Sequence, residues 1–219
     1  SAPVVDEHDR LVGVITIDDA MAVLDEEHEE DILHLAGVGG ESSISDGAIA
    51  TARQRIPWLV VNLFTASMSA FVISRFESTI AQLVTLAAVM PIVASTGGIA
   101  GTQSLAVAVR ALATRDLTNS NAKRVVMREL GAGILNGLGL SVILGLGAMA
   151  VFGQPMLGVV LGLAMIVNQI VAAMGGVMVP LGLEKLGLDP ALASGTFVTT
   201  LTDVMGYLTF LGLATMLML

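Results

Sequence analysis

Hydrophobic positions gather in five long stretches beginning at residue 57, and polar positions dominate everything before them. The stretches lie near 57–74, 80–109, 129–152, 156–183 and 191–217. Each is close to or above the roughly 20 residues that a helix needs to cross a bilayer. The pattern therefore predicts an all-α membrane protein with five transmembrane helices. The second stretch is interrupted by Pro91 and Gly97–Gly98, which predicts a kinked or broken helix. The fifth opens on Asp189–Pro190, read as a cap followed by proline at the first helical position. Upstream, residues 4–5 and 11–17 alternate Val, Ile and Thr around a polar turn at Asp6–Arg10, the pattern of two short strands. Asp18 is the expected cap of a helix through DDAMAVLDEEHEEDILHL, with a patchy apolar stripe at Met21, Leu24, Ile32, Leu33 and Leu35. Gly37–Gly40 should end it. A further helix is expected over 44–57, capped by Ser45 or Asp46 and leading into the membrane.

Composition agrees with this division. Hydrophobic residues make up 54% of the chain and charged ones 13%, about half the charged share of a soluble domain. Mean hydropathy is +0.83. The net charge of −9 hides two unlike parts: residues 1–46 hold 13 acidic side chains against Arg10 alone. An acidic polar segment is thus joined to a mildly basic membrane segment. Nucleic-acid binding is excluded, because that segment repels phosphate and the remaining bases sit at helix ends. The absence of cysteine removes disulfides, thiolate metal sites and Cys nucleophiles. SAPVVDEHDR is polar and acidic, so no signal peptide is read there.

Basic residues orient the spans. Arg53 and Arg55 precede the first; Arg110, Arg115, Lys123, Arg124 and Arg128 separate the second from the third; Lys185 separates the fourth from the fifth. Arg75 stands alone on the opposite side. The expected topology is multi-pass in the plasma (inner) membrane, with the N-terminus cytoplasmic and the C-terminus outside.

Candidate chemistry centres on Asp203, the one charge in the middle of a long hydrophobic stretch. A carboxylate at bilayer depth costs at least about 2.5–3.5 kcal/mol and usually faces a bundle interior or an aqueous path. The plainer reading is a protonated Asp bonded to a neighbouring helix. Thr196, Thr199 and Thr200 precede Asp203 by seven, four and three residues, and Gly206 follows by three. Helical spacing places them on one face, whereas Thr202 and Thr209 point elsewhere. Hydroxyls and carbonyls beside a carboxylate form an oxygen-only surface suited to a hydrated hard cation such as Mg²⁺; equally, the threonines can back-bond to the helix and merely pack. Asn62, Gln103, Asn136, Asn168 and Gln169 are further polar groups in the spans, each explicable alone as an interhelical hydrogen bond. One chain supplies one carboxylate at this depth, and a symmetric dimer would bring two around a common axis.

Gly133 and Gly137 form a GxxxG pair, as do Gly158 and Gly162, read as close helix packing or a dimer seam. Asp18, Asp19, Asp25, Glu26, Glu27, Glu29, Glu30 and Asp31 crowd one helix with no lysine or arginine. A solvated face is the ordinary explanation, but mutual repulsion without cations favours divalent-cation binding. His8, His28 and His34 lack a His partner at helical spacing and read as surface residues.

These residues carry a resemblance. APVVDEHDRLVGVITIDDAMAVL resembles the last strand–strand–helix of a cystathionine-β-synthase-type (CBS) domain. STGGIAGTQSLAVAVRALATRDL (95–117) and LGLDPALASGTFVTTLTDVMGY (186–207) resemble the second and fifth membrane helices of the MgtE family of magnesium channels. RFES at 75–78 resembles the outer turn between its first two helices. The resemblance implies a homodimer with five spans per subunit around a central pore for Mg²⁺. Residues 1–40 would be the C-terminal part of a cytosolic CBS domain, 41–56 a connecting helix, and 57–219 the pore domain. Ser1 would then lie within the CBS domain. By alignment Asp203 resembles the pore aspartate, with Gly195, Thr196, Thr199 and Thr200 as its companions and Gly97, Gly98, Gln103 and Asn168 as pore-lining candidates. Asp18, Asp19, Asp25, Glu27, Glu30 and Asp31 fall in what resembles the acidic Mg²⁺-sensing stretch. The chain departs from the family at Ile99, where GGNxGxQ has Asn, and at Gly195–Thr196, where many members have Asn-Pro or Gly-Pro.

The expected function is a dimeric channel for hydrated divalent cations in contact with membrane lipid, with Mg²⁺ both transported and regulatory. The alternative is a proton-coupled transporter in which Asp203 relays the proton. An intramembrane hydrolase would need a second carboxylate or a Ser–His pair at depth, and the sequence shows neither, so no enzyme is expected.

Overall fold

The computed structural model describes all residues except Gly39–Glu41, Ile44, Asn119, Leu192 and Ala193. Strands β1 (Ala2–Val5) and β2 (Leu11–Ile15) pair antiparallel, Ala2 opposite Ile15, with a register shift between Val4 and Val5. Asp6 closes their turn by accepting from the backbone N–H groups of His8 (2.8 Å) and Arg10 (3.0 Å). These bonds, Arg10's first, hold its carboxyl below the usual carboxylate range.

Helix α1 (Ile17–Leu35) is capped two residues earlier than the sequence suggests. Thr16, not Asp18, is its N-cap: the Asp19 N–H donates to Thr16 Oγ1 (3.2 Å), while Asp19 Oδ2 accepts from Thr16 N (2.8 Å) and Oγ1 (2.7 Å). This reciprocal box satisfies two otherwise orphaned donors, and Asp18 sits within the first turn. Gly37, with φ 72°, follows the end of α1; Gly39 and Gly40 lie outside the described residues.

Helix α2 (Ala48–Ser74) runs unbroken from the polar segment into the first span, through Pro57. Its cap is Gly47, with no side-chain bond; neither Ser45 nor Asp46 caps it. Asp46 instead accepts from Ser43 N (2.9 Å). After the turn at Arg75–Phe76 comes the short α3 (Glu77–Gln82), and then α4 (Thr85–Ala113). Of the kinked or broken helix expected near Pro91 and Gly97–Gly98, the break does not occur there: α4 is continuous through both, and the chain leaves the helix at Leu83–Val84 instead. Proline removes one N–H from the ladder, and packing against α6 and α7 keeps the helix continuous.

Helices α5 (Ala122–Phe152) and α6 (Pro155–Lys185) form a tight hairpin. Gly153 takes the left-handed conformation (φ 64°), and Pro155 occupies the start of α6, where its missing N–H has no cost. The last helix, α7, spans Ser194–Met218 rather than starting at Asp189–Pro190. Among the described residues, five helices (α2, α4, α5, α6 and α7) are long and apolar enough to cross a membrane.

Helix α6 is central, packing against α4, α5 and α7. One core joins Leu86, Val89 and Val93 of α4 to Leu157, Val160 and Leu161 of α6 and Phe210 and Leu211 of α7. Between α5 and α6 the contact is backbone to backbone. A Cβ on Gly133 would lie 2.9 Å from the Gln169 carbonyl, and one on Gly137 2.9 Å from Ile166 Cα. Gly158 and Gly162 face Gly145 and Ser141 in the same seam. Both GxxxG pairs thus serve close helix packing within the chain.

Candidate functional site

Asp203 lies mid-way along α7, partly buried, and among the described residues no side chain hydrogen-bonds or pairs with its carboxylate. One turn earlier, Thr199 Oγ1 donates to the carbonyls of Gly195 (2.9 Å) and Thr196 (3.1 Å), and Thr200 Oγ1 donates to Thr196 O (2.6 Å). The threonines do back-bond to their own helix. With their protons so used, the hydroxyl oxygens keep lone pairs that can accept from water.

Thr196, Thr199 and Gly195 line a cavity of about 300 Å³ at the start of α7, with Trp58, Leu59 and Asn62 of α2, Thr102 of α4 and His34–Gly37 at the end of α1. Asp203 follows one helical turn beyond Thr199 on the same face. Gly98 faces this helix, its Cα side near Thr199 and Thr202. Thr202 itself is fully buried and donates to Thr199 O (2.9 Å), so it points to α4 as its spacing implies. Gly195 rests against α1 directly: the Leu35 carbonyl lies 3.3 Å from where a Cβ would stand.

A second cavity, of about 500 Å³, lies where α1 meets the ends of α4 and α6 and the segment before α7. Glu27, His28 and Asp31 line it from α1, facing Glu184 and Asp189. Burial, then the charges of Asp189 and Glu27, raises the Asp31 carboxyl above its ordinary value. Asp189 Oδ2 accepts from the His34 ring, lying 2.8 Å from Nδ1, and His34 Nε2 lies 3.5 Å from Glu30. Among the described residues no group of three or more His, Asp or Glu stands close enough to hold one ion.

The profile of a family described as a divalent cation transporter, MgtE, matches residues 90–213. The chain belongs to the MgtE family. It is 40% identical over 219 residues to a protein of Enterococcus faecalis named magnesium transporter MgtE, covering 100% of this chain and 48% of that one. A Thermus thermophilus protein of the same name is 39% identical over 218 residues, 99% and 48% of the two chains. One from Bacillus subtilis is 37% identical over 213 residues, 97% and 47%. The chain therefore spans about half the length of these curated MgtE relatives. It is a multi-pass membrane protein of a transporter family.

Within this MgtE chain the sequence-picked residues fall into separate places. Gly195, Thr196, Thr199 and Thr200 share the α7 segment before Asp203, and Gly97 and Gly98 lie on the facing helix. Gln103 does not join them: it lines a groove with Asn136 and Gln169 between α4, α5 and α6. Asn168 has no exposed surface and is wedged between α4 and α7. Of the acids on α1, Glu27 and Asp31 reach the second cavity and Glu30 reaches His34. Asp19 is committed to the cap, and Asp18 and Asp25 are exposed. His34 is not a surface residue, with 13% of its side chain exposed. The sequence reading missed Trp58 and Thr102 at the first cavity and Glu184 and Asp189 at the second. A signal existed for Glu184 and Asp189, both acids at span boundaries.

Proposed function

We propose that the chain forms a homodimeric pathway conducting hydrated Mg²⁺ down its electrochemical gradient across the plasma membrane, with Asp203 as the pore carboxylate. The observation that carries this reading is the α7 face. Asp203 has no protein partner among the described residues and continues a line of threonine oxygens that opens into the first cavity. Mg²⁺ gives up its water reluctantly, and a carboxylate beside hydroxyl and carbonyl oxygens can hold the hydrated ion through those waters. Two such faces on a two-fold axis would supply two carboxylates to one ion. The names of the relatives, each a magnesium transporter, support the substrate.

The N-terminal segment, read as the end of a CBS domain, supplies the regulation. Glu27 and Asp31 oppose Glu184 and Asp189 across the second cavity, so Mg²⁺ there would draw α1 onto the spans, and its loss would let like charges part them. Bases at the inner ends of the spans keep this segment in the cytoplasm and place the C-terminus outside.

Mg²⁺ flux into proteoliposomes tests the reading, with wild type and Asp203→Asn, with and without a pH gradient. The variant should lose flux by roughly tenfold or more, as expected for an ionisable residue on an ion path, and wild-type flux should ignore the pH gradient. Undiminished flux in Asp203→Asn sinks the proposal. Flux that reverses with the pH gradient replaces it by proton exchange.

A further inference from the structure

Asn168 of α6 is a fully buried side chain at the junction of α4, α6 and α7. Its Nδ2 donates to the Val93 carbonyl of α4 at 2.8 Å, while its Oδ1 has no hydrogen-bond donor among the described residues. Two glycines shape the slot it fills. A Cβ on Gly206 would lie 2.9 Å from Nδ2, and a Cβ on Gly97 would overlap the carboxamide. The next residue, Gln169, reaches the Thr96 carbonyl at 3.5 Å, so two amides of α6 bracket the turn of α4 that carries Gly97.

An apolar side chain of similar size would fill this slot without stranding an acceptor, which is a costly arrangement in a dry interior. What the slot fixes is the relation of two helices. Gly97 adjoins Gly98, which faces Thr199, and Gly206 lies three residues beyond Asp203 on α7. We propose that Asn168 is a positioning residue for cation selection: its carboxamide sets the spacing of α4 against α7 at the turn of Asp203, and so the width of the oxygen-lined face. This rests on the reading of that face as the ion path.

The test compares Mg²⁺ and Co²⁺ flux through the reconstituted chain for wild type, Asn168→Leu, Asn168→Ala, Gly206→Ala and the double variant Asn168→Ala/Gly206→Ala, each scored against the amount of folded protein. The single variants should shift the Mg²⁺:Co²⁺ ratio by about tenfold, within the range by which contacting residues couple. The double variant, whose added methyl refills the emptied slot, should return toward the wild-type ratio. A common drop in both fluxes, or a lowered melting temperature with the ratio unmoved, makes Asn168 a packing residue only and overturns the proposal. So does a double variant no nearer to wild type than its parents. An Asp203→Asn arm separates the two readings. If it keeps its Mg²⁺ flux, the path itself is wrong; if it loses flux while the ratio ignores Asn168, only this inference falls.

Discussion

Asp31 shows how a single side chain can couple the polar segment to the spans. Its carboxyl is raised in the folded protein, first by burial and then by Asp189 and Glu27. A carboxyl raised on folding favours the folded form while protonated. That contribution is complete below the unfolded value, about 4, and is lost as the pH rises through the folded value. Asp31→Asn should therefore raise the melting temperature at neutral pH in EDTA by about 2 °C. The gap from wild type should close as the pH falls toward about 4, and thermal unfolding across pH checks both. Added Mg²⁺ should stabilise the variant less than wild type. At this scale Asp203 and its threonines were legible, since a charge in an apolar run is conspicuous and helical spacing is local. The His34–Asp189 pair was not, because its members stand 155 residues apart and only the packing of α1 on the spans joins them.

Helices α5 and α6 meet through glycine, and the seam discriminates sharply between positions. Gly137→Leu forces a side chain against Ile166 Cα and should destabilise by about 1–3 kcal/mol, as overpacking does. Gly147→Leu, with nothing within 4 Å among the described residues, should not destabilise. Melting curves of the two variants in detergent give the comparison. At the other end of the molecule, Thr16→Ala should cost about 1 kcal/mol through loss of the cap of α1, read as reduced protection of its first amides in hydrogen exchange. Element number and type were legible because hydrophobic length is a strong signal. The second span is not broken at Pro91 and Gly97–Gly98, although both are local breakers. The packing of α4 against α6 and α7 overrides them, and only tertiary contacts reveal it.

The whole molecule offers a direct test of topology, since a chain without cysteine accepts single reporters cleanly. Ser120→Cys, in a base-rich connection, should react with an impermeant maleimide only from the cytoplasmic side, and Gln154→Cys only from outside. Labelling of both from one side would reject the orientation. The arrangement of the spans also bears on how the protein is made. The helices that carry the polar face, α4 and α7, are the two least apolar spans, each with a hydropathy of 1.4, against 2.0 for α5 and 2.1 for α6. A bilayer accepts such segments less readily when they arrive alone. The α5–α6 hairpin, joined by Gly153 and Gln154, is the most apolar pair of spans and presents its Asn168–Gln169 amides to the α4 carbonyls. Because α6 packs against both α4 and α7, the two least apolar spans each gain a strongly apolar partner within the membrane.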